Sequence, residues 1–191
     1  MTESFYQHIR KFVAIERDDF ADVLSYFQVK ALDKKEMVME AGPLCNHSFF
    51  VLKGCLHMYY VNDRGVEKTI QFAIENWWLS DYLAYHHRQK TDFYIQAVEA
   101  SHVLDIDYDR QNQLLEAFPL METYFRNIYQ VAYGASIMRV KYLLDYSKEE
   151  IFFQFSEQYP EFVQRVPQYL IASFLGLTPE YVSEIRKKKR S

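Results

Sequence analysis

Hydrophobic positions fall into successive regimes along the 191 residues. From Glu3 to Phe27 the spacing is helical: Phe5, Ile9, Phe12 and Val13 form one stripe, and Phe20, Val23, Leu24 and Phe27 a second. Asp18 or Asp19 is placed to cap the second helix. From about Val29 to Tyr108 the period changes to two. Met37-Val38-Met39 precedes the turn signal Gly42-Pro43, and Phe49-Phe50-Val51-Leu52 ends at Lys53-Gly54. Leu56, Met58 and Tyr60 alternate with His57, Tyr59 and Val61, and Asn62-Asp63-Arg64-Gly65 reads as a glycine-closed turn. Ile70, Phe72 and Ile74 alternate again, followed by strands over 93–98 and 103–106. Short strands at this spacing predict an antiparallel sandwich or roll. Ser80 to Lys90 is polar and predicts a short helical turn with a loop.

From Tyr108 to about Tyr146 the helical period returns. Met121, Phe125, Ile128, Ala132, Ala135, Met138 and Tyr142 step by four and three, a seam of about three heptads. A helix packed on its own domain shows the same stripe, but its length favours a dimer helix over about 119–146. Ser147-Lys148-Glu149-Glu150 then opens an all-helical segment, so a domain of residues 1–146 is expected to carry the dimer helix, with a second domain at 147–191. The class is α+β: N-terminal helices, an antiparallel β-roll (double-stranded β-helix), the dimer helix, and a C-terminal helical unit.

That unit reads as a helix-turn-helix. Pro167 suits the first position of a helix. Leu170, Ile171, Phe174 and Leu175 give it an apolar face, with Ala172 small where two helices approach. Gly176 fits a C-terminal glycine with positive φ. Leu177 plugs the turn, Thr178 caps the next helix, Pro179 takes its first position, and Glu180 meets its positive end. Val182 and Ile185 anchor that helix inward, leaving Pro179, Glu180, Ser183, Glu184 and Lys187 outward. An ordinary helical hairpin shares most of this pattern.

Charge supports DNA. The net charge is −4, but residues 1–145 hold 15 basic and 20 acidic side chains, whereas from Phe162 onward there are 6 basic and 2 acidic. The run Arg186-Lys187-Lys188-Lys189-Arg190 continues the second helix; five phosphate contacts there correspond to a salt slope of roughly −4.5 per subunit. No apolar run approaches the ~18 residues of a membrane helix, and no apolar stretch follows a basic start at the N-terminus, so a cytoplasmic protein without a membrane partner is expected. Cys45 and Cys55 are expected as reduced thiols and are too few for an iron–sulfur cluster. Paired catalytic carboxylates, a glycine-rich phosphate loop and a G-x-S-x-G motif are lacking, which argues against an enzyme. No pairing of His47, His57, His86, His87 and His102 into a ligand motif suggests haem or a metal.

The order roll, seam helix, helix-turn-helix resembles the Crp/Fnr family of transcription regulators over essentially the whole chain. The stretch Arg165-Val166-Pro167-Gln168-Tyr169-Leu170-Ile171-Ala172-Ser173-Phe174-Leu175-Gly176-Leu177-Thr178-Pro179-Glu180 is similar to the branch common in Bacteroidetes-type bacteria. Phe50-Val51-Leu52-Lys53-Gly54 and Asp63-Arg64-Gly65 resemble turns of the family roll. The resemblance implies a homodimer on double-stranded DNA, with RNA polymerase and an unidentified small-molecule effector as further candidate partners. It implies base-reading contacts at Thr178, Pro179, Glu180, Ser183, Glu184 and Lys187, and backbone contacts from Gln168, Tyr169, Arg186 and Lys188. Glu184 stands where relatives have arginine; arginine reads guanine, whereas glutamate accepts from cytosine. The family's phosphate cassette has Gly-Glu, then Arg-Ser/Thr-Ala. By motif order these fall at Ser80-Asp81 and Thr91-Asp92-Phe93, so the phosphate-binding arginine is missing and Asp81 alone survives. A phosphate needs a guanidinium or several backbone donors, so no useful affinity for cyclic AMP is expected and no cofactor is predicted. Trp77, Trp78, Asp81, Tyr82, Tyr94 and Gln96 are the candidate pocket residues, with plain core aromatics as the alternative. The rival reading is a ligand-sensing or protein-interaction module with a degenerate helix-turn-helix.

Overall fold

The structure, a computed structural model, describes residues 2–190, and of residues 188–190 the backbone alone. Helices α1 (Glu3–Arg10) and α2 (Arg17–Leu24) precede eight antiparallel strands in two sheets. One sheet has the order β1-β8-β3-β6, with β1 Gln28–Leu32, β8 Ser101–Asp107, β3 His47–Lys53 and β6 Trp78–Leu79. The other has the order β2-β7-β4-β5, with β2 Met37–Met39, β7 Tyr94–Ala97, β4 Leu56–Val61 and β5 Glu67–Ala73. The polar stretch after β6 forms the short helix α3 (Tyr82–His87).

Strand β3 shows how the layers arise. Phe49 and Val51 pack into the roll with Leu56, Met58, Ile95 and Val103. Phe50 and Leu52 pack the opposite way, against Phe5, Ile9, Phe20 and Phe27 of the N-terminal segment. A strand covered on both faces reads as a continuous apolar run rather than an alternating one, which is the pattern Phe49–Leu52. Full burial of a phenylalanine side chain is worth about 1.5–3 kcal/mol, so α1 and α2 are structural layers of the roll. Neither Asp18 nor Asp19 caps α2; the cap position is Glu16, and both aspartates lie in the first turn, where they oppose the helix dipole. The β3–β4 turn depends on Gly54, with φ +107° and no room for a side chain: a Cβ there falls 2.1 Å from Ser101 Oγ.

The helical stretch from Tyr108 holds two helices, α4 (Tyr108–Ala117) and α5 (Leu120–Asp145), separated at Phe118-Pro119, and α5 coincides with the long helix expected over about 119–146. The stripe predicted as a dimer seam is divided. Met121, Phe125 and Ile128 are buried in the chain's own N-terminal core and are closed to a partner. Ala132 and Tyr142 are half-buried, while Ala135 and Met138 are exposed. Four large exposed side chains share another line, Tyr133, Ile137, Val140 and Leu144, with Leu144 80% exposed; Val131, Met138 and Leu143 are exposed off that line. At 3.6 residues per turn this line lies roughly 150° around the helix from Ala132, Ala135 and Tyr142.

After α5, Ser147 and Glu150 form a reciprocal capping box that starts α6 (Lys148–Gln158). Then come α7 (Pro160–Arg165), α8 (Gln168–Phe174) and α9 (Pro179–Arg190). Their core joins Ile151, Phe152, Leu170, Ile171, Val182 and Ile185, and it takes in Cys55, Phe72 and Val98 from the roll. Among the described residues no helix is long and apolar enough to cross a membrane.

Candidate functional site

Helices α8 and α9 are set by local chemistry. Pro167 occupies the cap position of α8 rather than the first helical position; its ψ of 133° is extended, and its carbonyl accepts from Leu170. Gly176 has φ +71° and turns the chain, and the Leu177 N–H then donates to Ala172 O at 2.8 Å. Thr178 Oγ1 accepts from the Tyr181 N–H at 3.2 Å and caps α9. Leu175, Leu177, Val182 and Ile185 are buried beneath the turn. Thr178, Pro179, Glu180, Ser183, Glu184 and Lys187 are all exposed.

The candidate backbone contacts sit beside this surface. Tyr169 is 52% exposed. Arg186 Nη1 donates to Gln168 Oε1 at 2.9 Å, and Gln168 Nε2 donates to Ser183 Oγ at 3.4 Å. Gln168 thereby bridges the start of α8 to the middle of α9 and orients the Arg186 guanidinium. The side chains of Lys188, Lys189 and Arg190 lie outside the described residues.

The opposite side of the unit is docked on β5. The Thr69 N–H donates to Ser173 Oγ at 2.9 Å. Phe72 meets Phe162 and Phe174 edge-on, with ring centroids 5.0 and 5.3 Å apart. Arg165, at the end of α7, donates to Glu75 at 2.7 and 2.9 Å and to Glu99 at 2.5 Å. Burial alone pushes the Glu75 carboxyl up, but the Arg165 guanidinium and the Gly54 N–H outweigh it and hold the carboxyl below its usual range. Burial pushes the neighbouring Cys55 thiol up to about 12.

In the roll, the two halves of the expected cassette meet. Asp81 caps α3, accepting from the Ala84 N–H at 3.2 Å. Thr91 Oγ1 donates to the other Asp81 oxygen at 2.8 Å and accepts from the Phe93 N–H at 3.1 Å. The nearest arginine along the chain, Arg88, turns to Asp109 and the Tyr108 ring. The Asp81 and Thr91 side chains are therefore satisfied within this stretch, while Ser80 Oγ donates to His47 O at 2.8 Å.

The six candidate pocket residues do not converge on one cavity. Trp77 is 46% exposed. Trp78 is buried in the helical core, where its Nε1–H donates to Tyr124 Oη at 2.8 Å. Asp81 is bound in the cassette, and Tyr82 packs on Tyr129 of α5. Tyr94 stacks on Tyr59 at 5.1 Å. Gln96 pairs with buried His57 and donates to Lys35 O. Burial holds the His57 pKa below its usual value, against the Gln96 hydrogen bond. Only Tyr94 borders the surface cleft of about 530 Å³ lined by Ala41, Tyr60, Val61, Asp92 and Phe93. Sequence reasoning misses Tyr124, Arg139 and the role of Arg165; the apolar run Phe49–Leu52 is the signal that an outer helical layer would claim a neighbouring aromatic such as Trp78.

Residues 29–118 match the family model of the cyclic nucleotide-binding domain. Solved structures extend the likeness over 85–92% of the chain. A c-di-GMP-responsive global regulator of Xanthomonas campestris aligns with a TM-score of 0.71 at 12% identity, over 92% of each chain. FixK2 of Bradyrhizobium japonicum aligns with a TM-score of 0.69 at 12% identity, over 85% of this chain and 83% of its own. A regulator of the Crp/Fnr family from Eubacterium rectale aligns with a TM-score of 0.69 at 11% identity, over 92% and 84%. The fold is that of the Crp/Fnr regulators. No curated protein sequence matches the chain. Within the Crp/Fnr fold, the matched domain spans β1 to α4, and α8–α9 lie beyond it.

Proposed function

We propose that the chain is a homodimeric, sequence-specific DNA-binding transcription regulator, of the Bacteroidetes-type branch, whose roll has lost the arginine of the nucleotide cassette. The observation that carries this reading is the pair α8–α9: an apolar inner side fixed on the roll, and a polar outer side left to solvent. This suits a recognition helix that enters the major groove by its N-terminal end. The sensor unit is residues 1–146 and the reading unit 147–191. Self-association runs through the exposed Tyr133, Ile137, Val140 and Leu144 line on α5. DNA as partner places the protein in the cytoplasm, with RNA polymerase as a candidate second partner.

The test is enrichment of bound fragments from a random DNA pool. A palindrome with half-sites one helical turn apart is expected. Lys187→Ala and Lys188→Ala are expected to weaken binding to all fragments alike, and each is expected to reduce the salt slope by about 1, the share of one neutralised phosphate. No enrichment at any salt concentration overturns the reading.

Glu180 and Glu184, both acidic on the exposed face, favour the second reading, an interaction or ligand-sensing module with a degenerate helix-turn-helix. For either reading the closed Asp81–Thr91 pair predicts that cyclic AMP produces no heat in a calorimetric titration at micromolar concentrations; saturable binding there contradicts the loss of the cassette.

A further inference from the structure

Two arginines tie the terminal helices to the rest of the chain. Arg139 lies in the second half of α5. Its Nη1 donates to Ile70 O on β5, and its Nη2 donates to Phe174 O at the end of α8 at 2.7 Å. Its guanidinium also lies over the Phe174 ring, 4.2 Å from the centroid. One side chain thus touches the long helix, the roll and the helix-turn-helix. Its charge is met by two carbonyls, one at the C-terminal end of α8, where a cation is favoured, and by a ring face. Arg165 makes the second tie, to Glu75 and Glu99 on the loops that follow β5 and β7. Between the two ties lie the Thr69–Ser173 hydrogen bond and the Phe72, Phe162 and Phe174 rings.

We propose that Arg139 and Arg165 form a two-point clasp that fixes the orientation of the helix-turn-helix relative to α5, making both arginines positioning residues for DNA recognition. The clasp favours binding. Every candidate reading residue with a described side chain stays exposed while the clasp is closed, so the clasp hides nothing that DNA needs. Two reading helices of a dimer must meet half-sites at a set spacing. A module hung on the Tyr146–Ser147 connection alone must be ordered at the moment of binding, which costs affinity. Direct contact between β5 and α8 also gives the roll a route to the reading unit within one chain.

This inference rests on the DNA-binding reading, so the experiment separates the two. In the full-length protein, spin labels at Val66→Cys and Glu161→Cys report the distance between roll and terminal helices; Cys45 and Cys55 are buried and stay unlabelled. A single narrow distance distribution is expected. Arg139→Gln and Arg165→Gln are expected to broaden it and, without labels, to weaken binding to the enriched DNA on the order of tenfold. The Glu75→Gln/Glu99→Gln double variant opens the same tie from the other side and is expected to reproduce the Arg165→Gln result if an arginine variant folds poorly. The charge-swapped pair Arg165→Glu/Glu75→Arg is expected to restore a narrow distribution in part. A broad distribution in the parent protein, narrow distributions in all variants, or tighter DNA binding on opening overturns the clasp. Narrowing and broadening as expected, with no DNA bound by any form, supports the clasp and overturns the DNA reading instead.

Discussion

Both parts of α5 are mostly apolar in composition, yet they use those side chains differently. Residues 120–128 are held by their own chain: Met121, Tyr124, Phe125 and Ile128 lie in one core with α1, α2 and the outer face of β3. Residues 129–145 are apolar around most of their circumference, yet Tyr133, Ile137, Val140 and Leu144 stay exposed. Polar atoms make the contrast sharper. In the first half, Trp78 Nε1 donates to Tyr124 Oη at 2.8 Å, and Tyr124 Oη lies 2.8 Å from His8 Nδ1. An indole N–H can only donate, so the tyrosine oxygen accepts from Trp78 and pairs with His8 Nδ1 in the sense set by the imidazole tautomer. A buried network in which these atoms are satisfied specifies one arrangement of α1, β6 and α5. In the second half the corresponding fixed point is Arg139, which reaches across to β5 and α8. One helix thus begins as a core element of the roll and its helical layer and ends as a largely exposed surface tied to β5 and α8 through Arg139.

The largest expected effect tests the first half. Tyr124→Ala removes a fully buried ring and orphans the Trp78 N–H, and is expected to cost about 4 kcal/mol of unfolding free energy, read from denaturant midpoints. A loss below about 1 kcal/mol contradicts the central place given to Tyr124. Next comes the second half. Ile137→Glu with Leu144→Glu is expected to leave the unfolding of the roll nearly unchanged while weakening self-association about 100-fold in sedimentation. If dimers persist at low micromolar concentration, the exposed line on α5 is not the contact. Applying the same charges at Met121 and Phe125 is expected to unfold the protein rather than separate two copies, because both are buried in its own core.

The uneven legibility of the sequence has the same origin. Helix starts and turns depend on neighbouring residues, so Gly176, Thr178 and Pro179 announce the turn between α8 and α9 without tertiary information. The strands are likewise visible from Phe49–Leu52 and Ile70–Ile74, because a pleated strand fixes which side chains share a face. A heptad stripe says that a face is apolar and leaves open what covers it; Met121 and Ile128 satisfy the pattern inside the chain, whereas Ile137 and Leu144 stand on another phase. The position of Trp78 beside Trp77 points to a ligand pocket, but β6 pairs with Phe49 and Phe50 of β3 and delivers the Trp78 indole to the helical layer. The contacts of Arg165 with Glu75 and of Arg139 with Ile70 join residues 90 and 69 positions apart. No local spacing encodes such pairs.

The smallest effect compares the two regions through pH. Burial holds His8, under the first half of α5, at a pKa of about 4, well below its usual value. The same cause lowers His57, which lies on β4 beside Phe72 of the α8 contact. A histidine whose folded pKa is depressed binds fewer protons in the folded state than in the unfolded one. Its contribution to stability is complete above the unfolded value, about pH 6.5, and is lost as the pH falls toward the folded value. For His8 that window runs from about 6.5 down to about 4, and the loss is on the order of 1–2 kcal/mol after allowing for residual solvent access. Asp105 adds to acid sensitivity only lower down: burial raises its pKa, but the hydrogen bonds from His47 and Lys30 outweigh that and keep it ionised until below the usual carboxylate range. His8→Gln is therefore expected to flatten part of the stability-versus-pH slope between pH 6.5 and 4, and His57→Gln another part. The two differ in what else moves. Protonating His8 loosens α1 and the start of α5, so amide exchange in residues 3–10 is expected to accelerate with acid in the parent and not in His8→Gln. Protonating His57 disturbs the sheet face next to α8, so its acid response is expected in residues 168–174. Identical exchange patterns in the two variants contradict the separation of α5 into an inner anchor and an outer arm.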